Sequence, residues 1–199
     1  MALFLAMCSF SLAMSLSPGP VNLITASSGA NYGFKKTIPF VSGATVGFTL
    51  LLIATGLGIS ELLHVSTLLW DGLVYTGCVF VAYMGYQLMA SSNEISIQKV
   101  NTPNFLDGLL LQWLNPKAWV ACVAGVSAFS SDGSLYSLLV FSIIYFFVCF
   151  LSIGAWAYAG FKASKLLASS THLKAFNAIM GAGLIAIAIY LALMHFISN

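Results

Sequence analysis

The sequence predicts an all-α integral membrane protein: six transmembrane helices as two inverted three-helix repeats, with helices 1 and 4 broken at proline motifs. Three observations carry that prediction. Only 6% of the 199 residues are charged and 60% are hydrophobic, whereas a soluble domain carries about 25% charged residues. Runs of apolar sequence long enough to cross a ~30 Å hydrocarbon layer, which takes roughly 20 residues, recur along the whole chain. Proline motifs interrupt two of those runs, SLSPGPVN at 15–22 and QWLNPKAW at 112–119.

The elements follow in order. Uncharged stretches at 1–34, 37–60, 72–93, 133–161 and 175–199 each supply one span, and 105–131 supplies another apart from Asp107 and Lys117. Helices are therefore expected at about 2–28, 37–60, 70–90, 105–130, 134–160 and 174–197. The remaining connections are only loop-sized, so residues 1–199 read as a single transmembrane domain with the lipid bilayer as its solvent. The opening MALFLAMCSFSLAMSLS lacks a basic n-region and a small-residue cleavage site, so it reads as the first helix rather than a removable signal. The G-x-x-x-G pairs Gly29/Gly33 and Gly43/Gly47 let backbones approach closely. The second pair is expected to pack within the subunit or across a homodimer. Gly77, Gly85, Gly154, Gly160, Gly181 and Gly183 read as packing positions of the same kind.

Orientation follows from the lysines. The first, third and fifth connections hold Lys35, Lys36, Lys99, Lys162, Lys165 and Lys174, while the second and fourth hold Glu61, His64 and Asp132. Lysine excess marks the cytoplasmic side, which puts both termini outside the cytoplasm. Cys8, Cys78, Cys122 and Cys149 form no C-x-x-C pair and read as small apolar packing. The histidines have no metal-like spacing, and no cofactor or nucleic-acid partner is expected.

The two breaks carry the chemistry. Proline lacks an N–H and clashes with the preceding turn, so each break ends one half-helix and starts another. Ser17 before Pro18 and Asn115 before Pro116 are the expected caps. Each new half-helix then begins inside the bilayer with its positive end and unpaired N–H groups pointing inward. Two such ends approaching from opposite sides make an anion site fit for a carboxylate. The candidate binding residues are Ser17, Pro18, Gly19, Pro20 and Asn22 on the first break, and Gln112, Asn115, Pro116 and Lys117 on the second. An intramembrane lysine costs about 2.5–3.5 kcal/mol to insert and is a functional candidate by default. Lys117 is placed to receive the carboxylate; the other reading has it bonded to carbonyls freed by proline. Asp71 and Asp107 are the carboxylates available for proton coupling, and Lys117, whose charge desolvation opposes, is a third candidate. Either aspartate can instead be an interfacial charge.

PGPVN in helix 1, GFKKTIPFVSGATVGF after it, VAYMGYQL closing helix 3 and FLDGLLLQWLNPKAW in helix 4 resemble, in order and spacing, the LysE/RhtB family of bacterial amino-acid exporters. The likeness covers the first two thirds of the chain, and QWLNPKAW is similar to its cysteine and O-acetylserine branch. It implies a non-enzymatic exporter in the bacterial inner membrane, moving amino acids or close derivatives outward at the expense of the proton gradient. Two other classes stay open: a six-helix thiol or redox carrier like DsbD, disfavoured by the missing cysteine pair, and a non-transporting assembly subunit, disfavoured by Lys117.

Overall fold

Prolines divide the chain before packing does. The residue ahead of a proline is pushed out of the helical region. Ser17 (φ −61°, ψ 140°), Gly19 (φ −175°, ψ 177°) and Asn115 (φ −99°, ψ 107°) all precede one and are all extended. A computed structural model describes residues 1–58, 67–90, 102–130, 133–164 and 170–198. Among them are eight helices and no strand: α1 Ala2–Leu16, α2 Pro20–Tyr32, α3 Phe34–Gly56, α4 Thr67–Ala90, α5 Phe105–Trp113, α6 Pro116–Phe129, α7 Leu135–Ser164 and α8 Ser170–Ser198. Three are each long and apolar enough to cross a membrane, α3, α7 and residues 171–197 of α8; α1 and α2, bent by 63° at their break, reach that length and apolarity only as a pair. The connections carrying Glu61, His64, Lys99, Asp132 and Lys165 lie outside the described residues.

The breaks are where the motifs predicted them, with one correction. Ser17 does not cap the second half of the first helix. It closes α1, whereas α2 is preceded by Gly19 and begins at Pro20, the first helical position that proline favours. Two prolines separated by one residue allow no helix between them, so the new helix starts after the second. Asn115 does cap α6, its side-chain oxygen accepting from Lys117 N at 3.1 Å. Pro39, by contrast, lies inside α3 without ending it.

α7 shows how these helices sort their faces. Leu138, Phe141, Ser142, Tyr145, Cys149, Ser152 and Ile153 are buried at helical spacing, and Leu139, Ile143, Phe147 and Leu151 are exposed and equally apolar. A helix apolar on both faces suits lipid rather than water. α7 packs against α1, α2 and α3; α5 and α6 pack on α3; α4 packs mainly along α8.

Glycines set the closest crossings. A Cβ on Gly29 would lie 2.1 Å from the Ala157 carbonyl oxygen, and one on Gly160 would lie 1.8 Å from that of Ala26, which locks α2 onto α7. Gly43 and Gly47 meet Phe105 and Leu109 of the same chain. Two glycines depart from the packing expectation. Gly33 is the joint between α2 and α3 with φ +87°, a conformation L side chains rarely adopt, and Gly154 has open space where a Cβ would be.

Candidate functional site

The carbonyls that close α1 can be accounted for one by one. A helix end leaves its last carbonyls without intrahelical donors, and away from water each needs another. Ser17 Oγ donates to Met14 O at 3.0 Å, Asn22 Nδ2 donates to Ser15 O and Ser17 O at 2.8 Å each, and Trp156 Nε1 donates to Leu16 O at 3.1 Å. Lys117 supplies the rest. Its Nζ donates to Ser17 O at 2.8 Å, Ser17 Oγ at 2.8 Å and Pro18 O at 3.1 Å. The lysine of the second break is therefore tied into the first, at the negative end of α1.

Beside this contact lies a small, partly open cavity that Gly19, Asn22, Gln112, Asn115 and Lys117 line. Val21 and Asn22 bring the first turn of α2 to its wall, and no side chain caps that helix. The positive end of α2 is consequently open to a ligand in a way that of α6, capped by Asn115, is not. Gln112 is 5% exposed. It makes no side-chain hydrogen bond among the described residues, and it lines the cavity. Pro18, Pro20 and Pro116 shape the breaks, and Ser17 anchors Lys117 from outside the lining set.

α1 and α7 supply another part of the wall. Ser15, Tyr145 and Cys149 line the same cavity, and the Tyr145 ring stacks on Phe48 with centroids 4.2 Å apart. The Cys149 thiol lies against the hydroxyls of Ser15 and Thr45. It packs within the hydrophobic core and also forms part of the cavity wall, and all four cysteines are free. Tyr145 and Cys149 are four apart on the buried stripe of α7, but a helix apolar on all faces gives no sequence signal for which stripe faces the cavity.

The carboxylates sit elsewhere. Asp107 is in the first turn of α5 and closes a capping box: its Oδ2 accepts from Asn104 N at 2.8 Å, and Asn104 Oδ1 accepts from Leu106 N and Asp107 N. Asp71 pairs across helices with His195, Oδ1 to Nε2 at 2.7 Å. His195 is therefore a partner of an aspartate and not simply solvated at a helix end. Neither aspartate lines the Lys117 cavity.

The chain is similar to a cysteine/O-acetylserine efflux protein of Klebsiella pneumoniae, 22% identical over 163 residues that cover 81% of this chain and 83% of that one. It is also similar to an uncharacterized membrane protein of Pseudomonas aeruginosa, 26% identical over 140 residues, and to the cysteine/O-acetylserine efflux protein of Escherichia coli K12, 22% identical over 129 residues. In each of these last two the match spans 64% of the relative's length. No solved structure matches the chain. The family model for LysE type translocators matches residues 12–195, and the chain belongs to that family.

Proposed function

We propose that this protein is a secondary active exporter of amino acids or close derivatives in the bacterial inner membrane, driven by the proton gradient. The observation that carries the proposal is the meeting of the two breaks. Lys117, well inside a predicted span, reaches from the second break into the first, beside a cavity that presents the uncapped start of α2 and the Gln112 side chain, which has no hydrogen-bond partner among the described residues. The substrate's carboxylate is held there by Lys117 and by the first N–H groups of α2, since a helix start favours an anion. The relatives named for cysteine and O-acetylserine efflux make small polar amino acids the first substrates to try.

Residues 1–199 act as one transporter domain of six spans in two inverted repeats. Helix packing supports that symmetry. Exchanging the halves maps the α3–α7 and α4–α8 contacts onto themselves and the packing of α1–α2 on α7 onto that of α5–α6 on α3. Both termini lie outside the cytoplasm in this reading, and Asp71 with its His195 partner is favoured over Asp107 for proton coupling, because Asp107 already closes a helix.

The test is flux in proteoliposomes: a panel of radiolabelled amino acids, with and without an imposed pH gradient, on the native chain and on Lys117→Met. Gradient-dependent flux of a small amino acid is expected, with binding lost in Lys117→Met while expression and thermal stability stay normal. A variant that still binds would remove Lys117 from the site.

A further inference from the structure

We infer that the oxygens closing α1 form an ammonium-binding subsite, held by Lys117 when the carrier is empty and by the α-ammonium group of an amino acid when it is loaded. The inference rests on the reading above, in which Lys117 receives the carboxylate, and adds a second half to recognition.

A lysine ammonium has three N–H donors. Here each has an acceptor: Ser17 O at 2.8 Å, Ser17 Oγ at 2.8 Å and Pro18 O at 3.1 Å. A saturated ammonium has nothing left to offer a carboxylate, so binding one requires Lys117 to leave at least part of this cluster. Its departure would leave the Pro18 carbonyl and the Ser17 hydroxyl without that cation at the negative end of α1, where a positive group is favoured, while Ser17 O keeps Asn22. An α-amino acid supplies the remedy within itself, because its own three-donor ammonium is one carbon away from the carboxylate that draws Lys117 off. The cluster exchanges one primary ammonium for another.

Gly19 makes the parked position possible. A Cβ there would lie 3.1 Å from Lys117 Nζ and 3.2 Å from its Cδ. Its backbone, at φ −175° and ψ 177°, is extended and open to any residue, so what the missing side chain provides is room for Lys117. The neighbouring Gln112 and Asn115 are buried and line the same cavity, ready for a ligand's remaining polar atoms. Two selectivities follow. An amine without a carboxylate must compete with a tethered ammonium for the same oxygens and loses, since tethering sets a high effective concentration. An acid without an amine leaves the cluster empty.

The experiment uses the full chain in detergent, its melting temperature read against ethylammonium chloride, with choline chloride, which has no N–H donor, as control. A ligand that binds only the folded state raises that temperature. Ethylammonium should stabilise Lys117→Ala in a saturable way and leave the native protein unmoved. Gly19→Ala, which crowds only the flexible end of Lys117, should respond to ethylammonium between the two. No response in Lys117→Ala, or an equal response in the native protein, overturns the subsite. If Lys117→Ala fails to fold, Gly19→Ala decides, and a response no larger than native overturns it. With L-cysteine as second probe, Gly19→Ala should bind several-fold more tightly, because the parked conformer no longer competes; equal or weaker binding overturns the exchange. A native protein that ignores L-cysteine would count against the substrate reading, while the ethylammonium result still decides the subsite.

Discussion

α8 is joined to α2 by a buried polar clamp whose energy can be worked out in advance. Asn31 Nδ2 donates to Asn177 Oδ1 at 2.8 Å, Asn177 Nδ2 returns to Asn31 Oδ1 at 2.9 Å, and Ser27 Oγ donates to Asn177 Oδ1 at 3.1 Å. Asn177 and Ser27 are each 1% exposed. Interhelical hydrogen bonds in a bilayer average ~0.6 kcal/mol, because the unfolded chain in the membrane also finds partners. Asn177→Leu removes three such bonds at nearly constant volume, a predicted loss of ~2 kcal/mol. Asn31 keeps the Ser27 carbonyl at 2.8 Å, so it is not left wholly unpaired. A double-mutant cycle with Asn31→Leu isolates the two reciprocal bonds, for a coupling of ~1.2 kcal/mol. The measurement is reversible unfolding in bicelles. Coupling below ~0.3 kcal/mol, where independent sites already fall, would refute the clamp, as would an Asn177→Leu protein more stable than native.

Other expectations are as direct. Asn115→Ala removes the cap that accepts from Lys117 N and should lower stability by ~1 kcal/mol in the same unfolding assay. Gln112→Leu deletes an amide with no hydrogen-bond partner among the described residues, so its melting temperature should hold or rise while substrate affinity falls about tenfold, the equivalent of ~1.4 kcal/mol. Asp71→Asn should abolish pH-driven transport and leave substrate binding intact; transport that still follows the gradient would reduce the Asp71–His195 pair to a tie between α4 and α8.

The breaks were legible in the sequence because their cause is local. Proline acts on the residue before it, so SPGP and LNP announce their own backbone, and Asn115 was recognisable as a cap. Even there the rule had to be applied twice: Ser17 and Gly19 both precede a proline, and only the second proline can open α2. Asp107 is ambiguous in sequence because a carboxylate in a first turn serves a cap or a proton equally well, and the structure shows it completing a cap with Asn104, three residues earlier. What could not be read was the third side of the cavity. Tyr145 and Cys149 sit in a helix apolar on all faces, where periodicity does not separate the inward stripe from the lipid-facing one. Gly33 hides its role for the opposite reason: its four-residue spacing from Gly29 suggests packing, while its positive φ serves a joint.

The position of Lys117 also resolves an energetic difficulty. An intramembrane lysine costs ~2.5–3.5 kcal/mol on insertion scales. Three interhelical bonds at ~0.6 kcal/mol each recover ~2 kcal/mol, and a cation at a partly buried helix C-terminus gains up to ~2 kcal/mol. These terms cancel to within about a kilocalorie, so the parked lysine is close to neutral for the fold. Lys117→Met removes the penalty and the bonds together. Of the oxygens it abandons, Ser17 O keeps Asn22 as a donor, which leaves Pro18 O as the backbone acceptor that loses its only side-chain partner. A small change in melting temperature is therefore expected from that variant. A residue nearly neutral for stability whose removal abolishes binding is held in place by the ligand's chemistry rather than by the fold's.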